Sequence, residues 1–264
     1  MSKLGQHFLI NKRKIQKIVE ALELRDGDTV IEIGPGHGEL TTNFKSYSPI
    51  GGLNLKIIAI EKDKELVEFL KKRFVESKNV EIIEGDVLKL LSQLTNDLQQ
   101  TTNDYKLVGN IPYYITGYLF RILGELKNKP SLIVLLIQKE VAERICAKPP
   151  KMNLLAAAIQ FWAKPKIIAN VSKKNFRPAP KVDSVIIKLD SLDSFAVASD
   201  SGENYYKFIK ILFKQPRKTI LNNLRPMIND PRLLTEKLQK LSINPQARPQ
   251  NLDIKKIMEL STLF

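Results

Sequence analysis

The stretch "TVIEIGPGHGEL", Thr29 to Leu40, runs an apolar pentapeptide straight into three glycines spaced two apart. Five residues that are almost all β-branched, stopped by glycine, predict a short strand buried on both faces. Gly34, Gly36 and Gly38 predict a tight turn, and a helical pattern resumes from about Glu39. A strand that turns into a helix through glycine opens a β-α-β unit, and the same rhythm extends outward in both directions. Upstream lies the amphipathic "INKRKIQKIVEALEL"; downstream come "KIIAIE", "DKELVEFLKKRFVES" and "VEIIEGD". The fold class expected is α/β, a doubly wound and mostly parallel sheet with helices on both faces.

The alternation continues through the strand "YKLVGN", the helix "GYLFRILGEL", the strand "SLIVLLI" and the helices "KEVAERICA" and "LLAAAIQFW". The last two apolar runs, "KIIANVS" and "VDSVIIKL", are joined by a Pro-rich link and are expected to pair antiparallel at one side of the sheet. Past Leu189 the pattern changes: "DSLDSFAVASDSGENY" reads as a linker, and only helical periodicity follows it. Two domains are therefore expected, residues 1–190 as the catalytic α/β domain and residues 191–264 as a small, basic, all-helical one.

The chain has 264 residues, with 42 Lys and Arg against 28 Asp and Glu, a formal net charge of +14. Residues 203–264 hold 12 of the cations and 5 of the anions, so a quarter of the chain carries half the excess. So concentrated a positive field points to a polyanionic partner, nucleic acid above all. The longest aliphatic run, Leu132–Ile137, is too short to span a bilayer, and the N-terminal residues lack the apolar stretch of a secretory signal. A single cysteine, Cys146, leaves neither an intrachain disulfide nor a Cys-rich metal site, which suits a reducing cytoplasm.

The glycine turn sits where α/β sheets bind nucleotides. A dinucleotide loop would place a third glycine where this sequence has Glu39, and an acid in the first helical turn repels a pyrophosphate. A nucleoside bearing a cationic amino acid, S-adenosylmethionine, suits the pattern better. The next strand ends on Glu61, placed to accept from both ribose hydroxyls, and the following one on Asp86, placed to accept from an adenine amino group. Gly34, Gly36, Glu61, Asp86 and Asn110 all fall at carboxyl ends of predicted strands, the rim on which such a sheet opens its ligand crevice.

The fourth of those tips reads "GNIPYYIT", Gly109 to Thr116. "NIPY" resembles the (Asn/Asp)-x-Pro-(Tyr/Phe) signature of adenine amino-group methyltransferases. With "GQHFL", "EIGPGHGELT", "AIEKD", "EGDVL", "NFRPAPKVDS" and "FKQPRKTILNNL", nearly the whole chain resembles the small-subunit ribosomal RNA adenine N6,N6-dimethyltransferases. The resemblance implies a Rossmann-like class I S-adenosylmethionine-dependent methyltransferase that acts as a monomer on small-subunit rRNA, or on its precursor particle, during ribosome biogenesis. Its product would be two adjacent N6,N6-dimethylated adenosines in a hairpin loop.

Chemistry gives the signature its sense. The adenine N6 lone pair is conjugated into the ring, so a site must pyramidalise the amine while aiming it. The side-chain oxygen of Asn110 and the carbonyl of Ile111 can accept its two hydrogens, with Pro112 fixing the backbone direction. Tyr113 offers a flat face to the base, and by resemblance Phe176 covers the other, from a loop that Pro178 and Pro180 should make stiff and exposed. The resemblance also brings Leu9 and residue 7 to the cofactor; His7 stands where the family usually has Asn and would have to donate a hydrogen bond. His37 reads as a passive loop residue and Tyr114 as a half-buried aromatic. No metal is called for. Arg217, Lys218 and Arg225 are candidate phosphate contacts. Two other readings compete: a large-subunit rRNA adenine methyltransferase, disfavoured by the basic tail motif, and a non-catalytic nucleic-acid-binding relative, disfavoured by the intact "NIPY" and "EIGPGHG".

Overall fold

A computed structural model of the chain describes residues 6–46, 53–99, 104–192, 199–228 and 230–264. Its elements in order are β1 (Phe8–Leu9), α1 (Lys12–Ala21), β2 (Thr29–Ile33), α2 (Glu39–Ser46), β3 (Lys56–Glu61), α3 (Lys64–Arg73), β4 (Val80–Glu84) and α4 (Val87–Leu98). Then come β5 (Lys106–Asn110), α5 (Thr116–Glu125), β6 (Leu132–Gln138), α6 (Lys139–Ile145), α7 (Leu154–Gln160), β7 (Ala163–Val171), β8 (Phe176–Arg177) and β9 (Ser184–Ser191). The remaining helices are α8 (Ser199–Leu212), α9 (Ile220–Leu224), α10 (Pro231–Lys240) and α11 (Ile254–Ser261).

Seven strands form one sheet in the order β4-β3-β2-β5-β6-β9-β7. The first five are parallel to their neighbours, and β9 runs antiparallel to β6. The chain winds outward from β2 to one side through β3 and β4, then returns to β2's other side with β5, so β2 and β5 flank a topological switch point, where open α/β sheets place their ligands. All five residues of β2 are buried, as a central parallel strand covered on both faces requires. Lys106 enters β5 only 6% exposed, its charge met by Asp28 at 2.7 Å and the Glu23 carbonyl at 2.6 Å. β7 lies beside β9 at the edge of the sheet, where the sequence places that pair.

Local sequence sets the helices that cover the sheet. Asn11 accepts from the Lys14 amide at the start of α1, which buries Ile15, Ile18 and Val19. Each such side chain is worth roughly 1.5–3 kcal/mol of transfer free energy. Asp63 caps α3, whose last turn carries Lys71, Lys72 and Arg73 against the helix dipole. The short ladder of β1 with β8 pairs Phe8 with Arg177 and Leu9 with Phe176, an antiparallel contact that two-residue strands leave without periodicity.

The chain divides into two units, Met1–Ala142 with Lys166–Ser191, and Glu143–Pro165 with Leu192–Phe264. The helical unit thus takes in more than residues 191–264. Within it Phe161 stacks on Tyr205 at 3.9 Å and 9°, and the Tyr205 hydroxyl donates to the Ala157 carbonyl at 2.9 Å. The Met152 amide also donates to the Gln250 carbonyl. α8 begins at Ser199, inside the stretch read as a linker; residues 193–198 of that linker lie outside the described residues.

Candidate active site

The first unit brings Gln6, His7, Phe8, Gly34, Gly36, Glu61, Asn110, Ile111, Pro112, Tyr113 and Phe176 around one cavity at the carboxyl ends of β2, β3 and β5. Gly34 and Gly36 hold φ of +63° and +60°, a region that L residues rarely enter. A Cβ on Gly36 would stand 2.8 Å from the Phe8 ring, so glycine permits the turn and the close approach of β1 together. The Phe8 ring in turn packs edge-on against His37, with centroids 4.5 Å apart.

Glu61 ends β3 only 5% exposed. Its Oε2 accepts from the Gly36 amide at 3.2 Å; its Oε1 accepts from the amides of Lys62 and Asp63 at 2.8 and 3.0 Å. Burial pushes its pKa up, and these three amides oppose the shift. Their effect is to aim the carboxylate across the glycine turn. Glu32, on β2, is more deeply buried: Oε2 accepts from the Thr41 hydroxyl at 2.6 Å, and Oε1 has no partner among the described residues. Burial raises its pKa to about 7.

Asp86 caps α4 through the Leu88 amide at 3.0 Å and pairs with Lys62 at 2.9 Å. Burial acts to raise its pKa, but Lys62 and the Leu88 amide outweigh it and hold the carboxyl below its usual value. It does not line the cavity. Neither does Leu9, which is 7% exposed and packed in the core beneath α1.

At the tip of β5 the Asn110 Nδ2 donates to the His7 carbonyl at 2.7 Å. A carbonyl only accepts, so the amide's orientation is fixed and Oδ1 remains as its free acceptor. No hydrogen bond among the described residues engages the Ile111 carbonyl either, and Pro112 holds φ −54° as the chain turns into a 3₁₀ segment, Tyr113–Ile115. Tyr113 is half-buried, its hydroxyl 2.8 Å from that of Ser184. Phe176 also lines the cavity, but at 3% exposure it belongs to the core through its pairing with Leu9; the expected exposed loop is not what holds it. The Nδ1 of His7 donates to the Pro178 carbonyl at 2.8 Å, tying the N-terminal segment to the chain just after β8.

In the helical unit Arg217, Lys218 and Arg225 are exposed and form no ion pair among the described residues. The residue that shapes this surface was not singled out from the sequence. Asn223, 6% exposed, accepts from the Gln215 amide at 3.1 Å and donates to the carbonyls of Gln215, Lys218 and Thr219 at 3.1–3.4 Å. One buried amide thereby clamps the loop that carries Arg217 and Lys218.

A doubly wound sheet whose rim offers two glycines in left-handed backbone after β2, a braced carboxylate at the end of β3 on one side and an unengaged amide oxygen at the end of β5 on the other is that of a class I methyltransferase. The ribosomal RNA adenine dimethylase family model matches residues 1–264, and the chain belongs to that family, which uses S-adenosylmethionine as methyl donor. The chain is 36% identical over 261 residues to a ribosomal RNA small subunit methyltransferase A of Clostridium botulinum (strain ATCC 19397 / Type A), covering 98% of this chain and 91% of that one. It is 37% identical over 268 residues to the protein of that name from Mycoplasma mycoides subsp. mycoides, covering 98% and 95%. The crystal structure of a dimethyladenosine transferase from Plasmodium falciparum superposes with a TM-score of 0.78 at 28% identity, over 96% of this chain and 95% of that one. The 23S rRNA methyltransferase ErmE superposes at 0.76 with 21% identity, over 97% and 98%, a likeness of fold alone.

Proposed function

We propose that this protein transfers methyl groups from S-adenosylmethionine to the N6 atoms of two adjacent adenosines in a hairpin loop of small-subunit rRNA, forming N6,N6-dimethyladenosine in the cytoplasm during ribosome assembly. Bound S-adenosylmethionine supplies an electrophilic methyl group on a sulfonium. Glu61, held by three amides, is placed to accept from the ribose hydroxyls, and Gly34 with Gly36 lets the backbone come close to the nucleoside. Asp86 is assigned to the adenine amino group through the lone pairs that Lys62 and Leu88 leave free.

The observation that carries the reading is the pair of free acceptors at the tip of β5. Asn110 Oδ1 and the Ile111 carbonyl accept the two N6 hydrogens of a flipped adenine and draw its lone pair out of conjugation. Tyr113 and Phe176 give that base its two faces, and Ser184 holds the Tyr113 ring in place. Arg217, Lys218 and Arg225 are assigned to rRNA phosphates. The identity with small-subunit relatives supports the choice of subunit, since the fold is shared with a large-subunit enzyme.

The test is incubation of the monomer with methyl-labelled S-adenosylmethionine and, separately, small and large ribosomal subunits lacking adenine dimethylation. Label appearing as N6,N6-dimethyladenosine in small-subunit rRNA supports the assignment; label confined to large-subunit rRNA, or none, overturns it.

A further inference from the structure

Two tyrosines beside the acceptor tip take no part in the site just described. Tyr114 is 66% exposed and Tyr118 52% exposed, although aromatic rings of this size are ordinarily driven into the core. Tyr114 occupies the 3₁₀ segment that also holds Tyr113, and this segment runs directly into α5, where Tyr118 sits in the first turn. The two tyrosines are four residues apart, about one turn along this helical path. Neither hydroxyl has a hydrogen bond among the described residues, in contrast to Tyr113, which Ser184 anchors. Each tyrosine lies within electrostatic reach of a cation, Tyr114 of Lys62 and Tyr118 of Arg121.

We propose that Tyr114 and Tyr118 form a stacking platform for the unpaired nucleotides that flank the target adenosine. The inference rests on the adenine methyltransferase reading and extends it from the reacting base to its neighbours. Extruding a base leaves the adjoining nucleotides without a stacking partner, and an exposed ring face accepts any base in its place. The platform begins one residue after Tyr113, whose ring lines the base cavity, so it lies on the segment that borders that cavity. Lys62 and Arg121 supply positive charge along the same path; their own side chains are 53% and 69% exposed, so pairing with Asp86 and Glu125 leaves both cations open to a phosphate. Single-stranded RNA is the occupant that this combination of flat faces and cations fits.

The test compares Tyr114→Ala, Tyr118→Ala and the double variant with the wild-type protein, using small subunits lacking dimethylation as substrate. The KM for the particle rises roughly tenfold for each ring removed. The S-adenosylmethionine Kd, measured by calorimetry, stays at the wild-type value. Tyr114→Phe and Tyr118→Phe restore the KM, because stacking needs the ring and not the hydroxyl. With p-benzoylphenylalanine at position 118, photocrosslinking yields an adduct on the target rRNA loop. Unchanged KM in the double Ala variant overturns the platform, as do Phe variants as impaired as Ala ones, or an adduct on a protein in place of RNA. Absence of methylation by the wild-type protein would instead refute the underlying reading of the site.

Discussion

The side chain of Asn110 is oriented by the main chain of His7: Nδ2 donates to that carbonyl at 2.7 Å, across 103 residues of sequence. Position 7 therefore orients the acceptor amide through an atom that every amino acid possesses. What the His7 side chain adds is the Nδ1 bond to the Pro178 carbonyl, which fastens the segment to the chain just after β8.

Removing that ring separates the two contributions. His7→Ala loses one side-chain hydrogen bond, worth about 1 kcal/mol of stability, while kcat changes less than about threefold because the carbonyl that holds Asn110 remains. His7→Asn, whose amide can donate in place of Nδ1, recovers the stability. Urea denaturation and steady-state kinetics on both variants check this; a hundredfold fall in kcat for His7→Ala would place the imidazole in the chemistry.

Glu32 sets a pH dependence whose sign follows from burial. Its pKa in the folded protein, about 7, lies above the ordinary value of 4.5. A carboxyl raised in this way favours the folded state while it is protonated in both states. The advantage is lost as pH climbs from the unfolded value through about 7. Relative to Glu32→Gln, the cofactor-free protein is expected to lose about 3 kcal/mol of stability between pH 4.5 and pH 8. Denaturant titrations across that range on both proteins measure the difference. Parallel pH profiles would show that Glu32 is ionised at no cost to folding.

Asn223 joins stability to RNA affinity. Asn223→Ala leaves the Gln215 amide without its acceptor and three carbonyls without a donor in a buried position, at a cost of roughly 1–3 kcal/mol. The loop bearing Arg217 and Lys218 then loses its fixed form. Affinity for rRNA is expected to fall severalfold and its dependence on salt to flatten, as phosphate contacts that release counterions are lost. S-adenosylmethionine binding should be untouched. Filter binding over a salt series decides the matter, and an unchanged slope would leave Asn223 a structural residue only.

Much of this architecture is legible in the chain because the signals are local. The β2 run, its glycine turn and the acids ending later strands follow from apolar periodicity and from the φ that only glycine takes freely. The site is less legible where a partner is remote. Nothing near Phe8 announces a two-residue ladder with Phe176, and that ladder is why Phe176 is a core residue lining a cavity, not an exposed loop ring. Leu9 is in the core for the same reason. Asp86 shows the limit of reading a strand tip: the local pattern fits a helix cap as well as a ligand acceptor, and its tie to Lys62 requires the fold. Glu32 reads as part of the glycine motif, but only the packing reveals that one of its oxygens is sealed without a partner. The grouping of residues 143–165 with the C-terminal helices rests on remote contacts such as the stacking of Phe161 on Tyr205 and the Met152–Gln250 hydrogen bond, which no periodicity predicts.

The central claim is that Asn110 Oδ1 acts on the reacting amine and not merely on the turn. Single-turnover methylation by Asn110→Ala, with S-adenosylmethionine affinity measured alongside, tests it most directly. The rate is expected to fall by roughly two or more orders of magnitude, the loss typical of a transition-state hydrogen bond, with the cofactor Kd changed only slightly. A variant that binds cofactor normally and turns over near the wild-type rate would contradict the account.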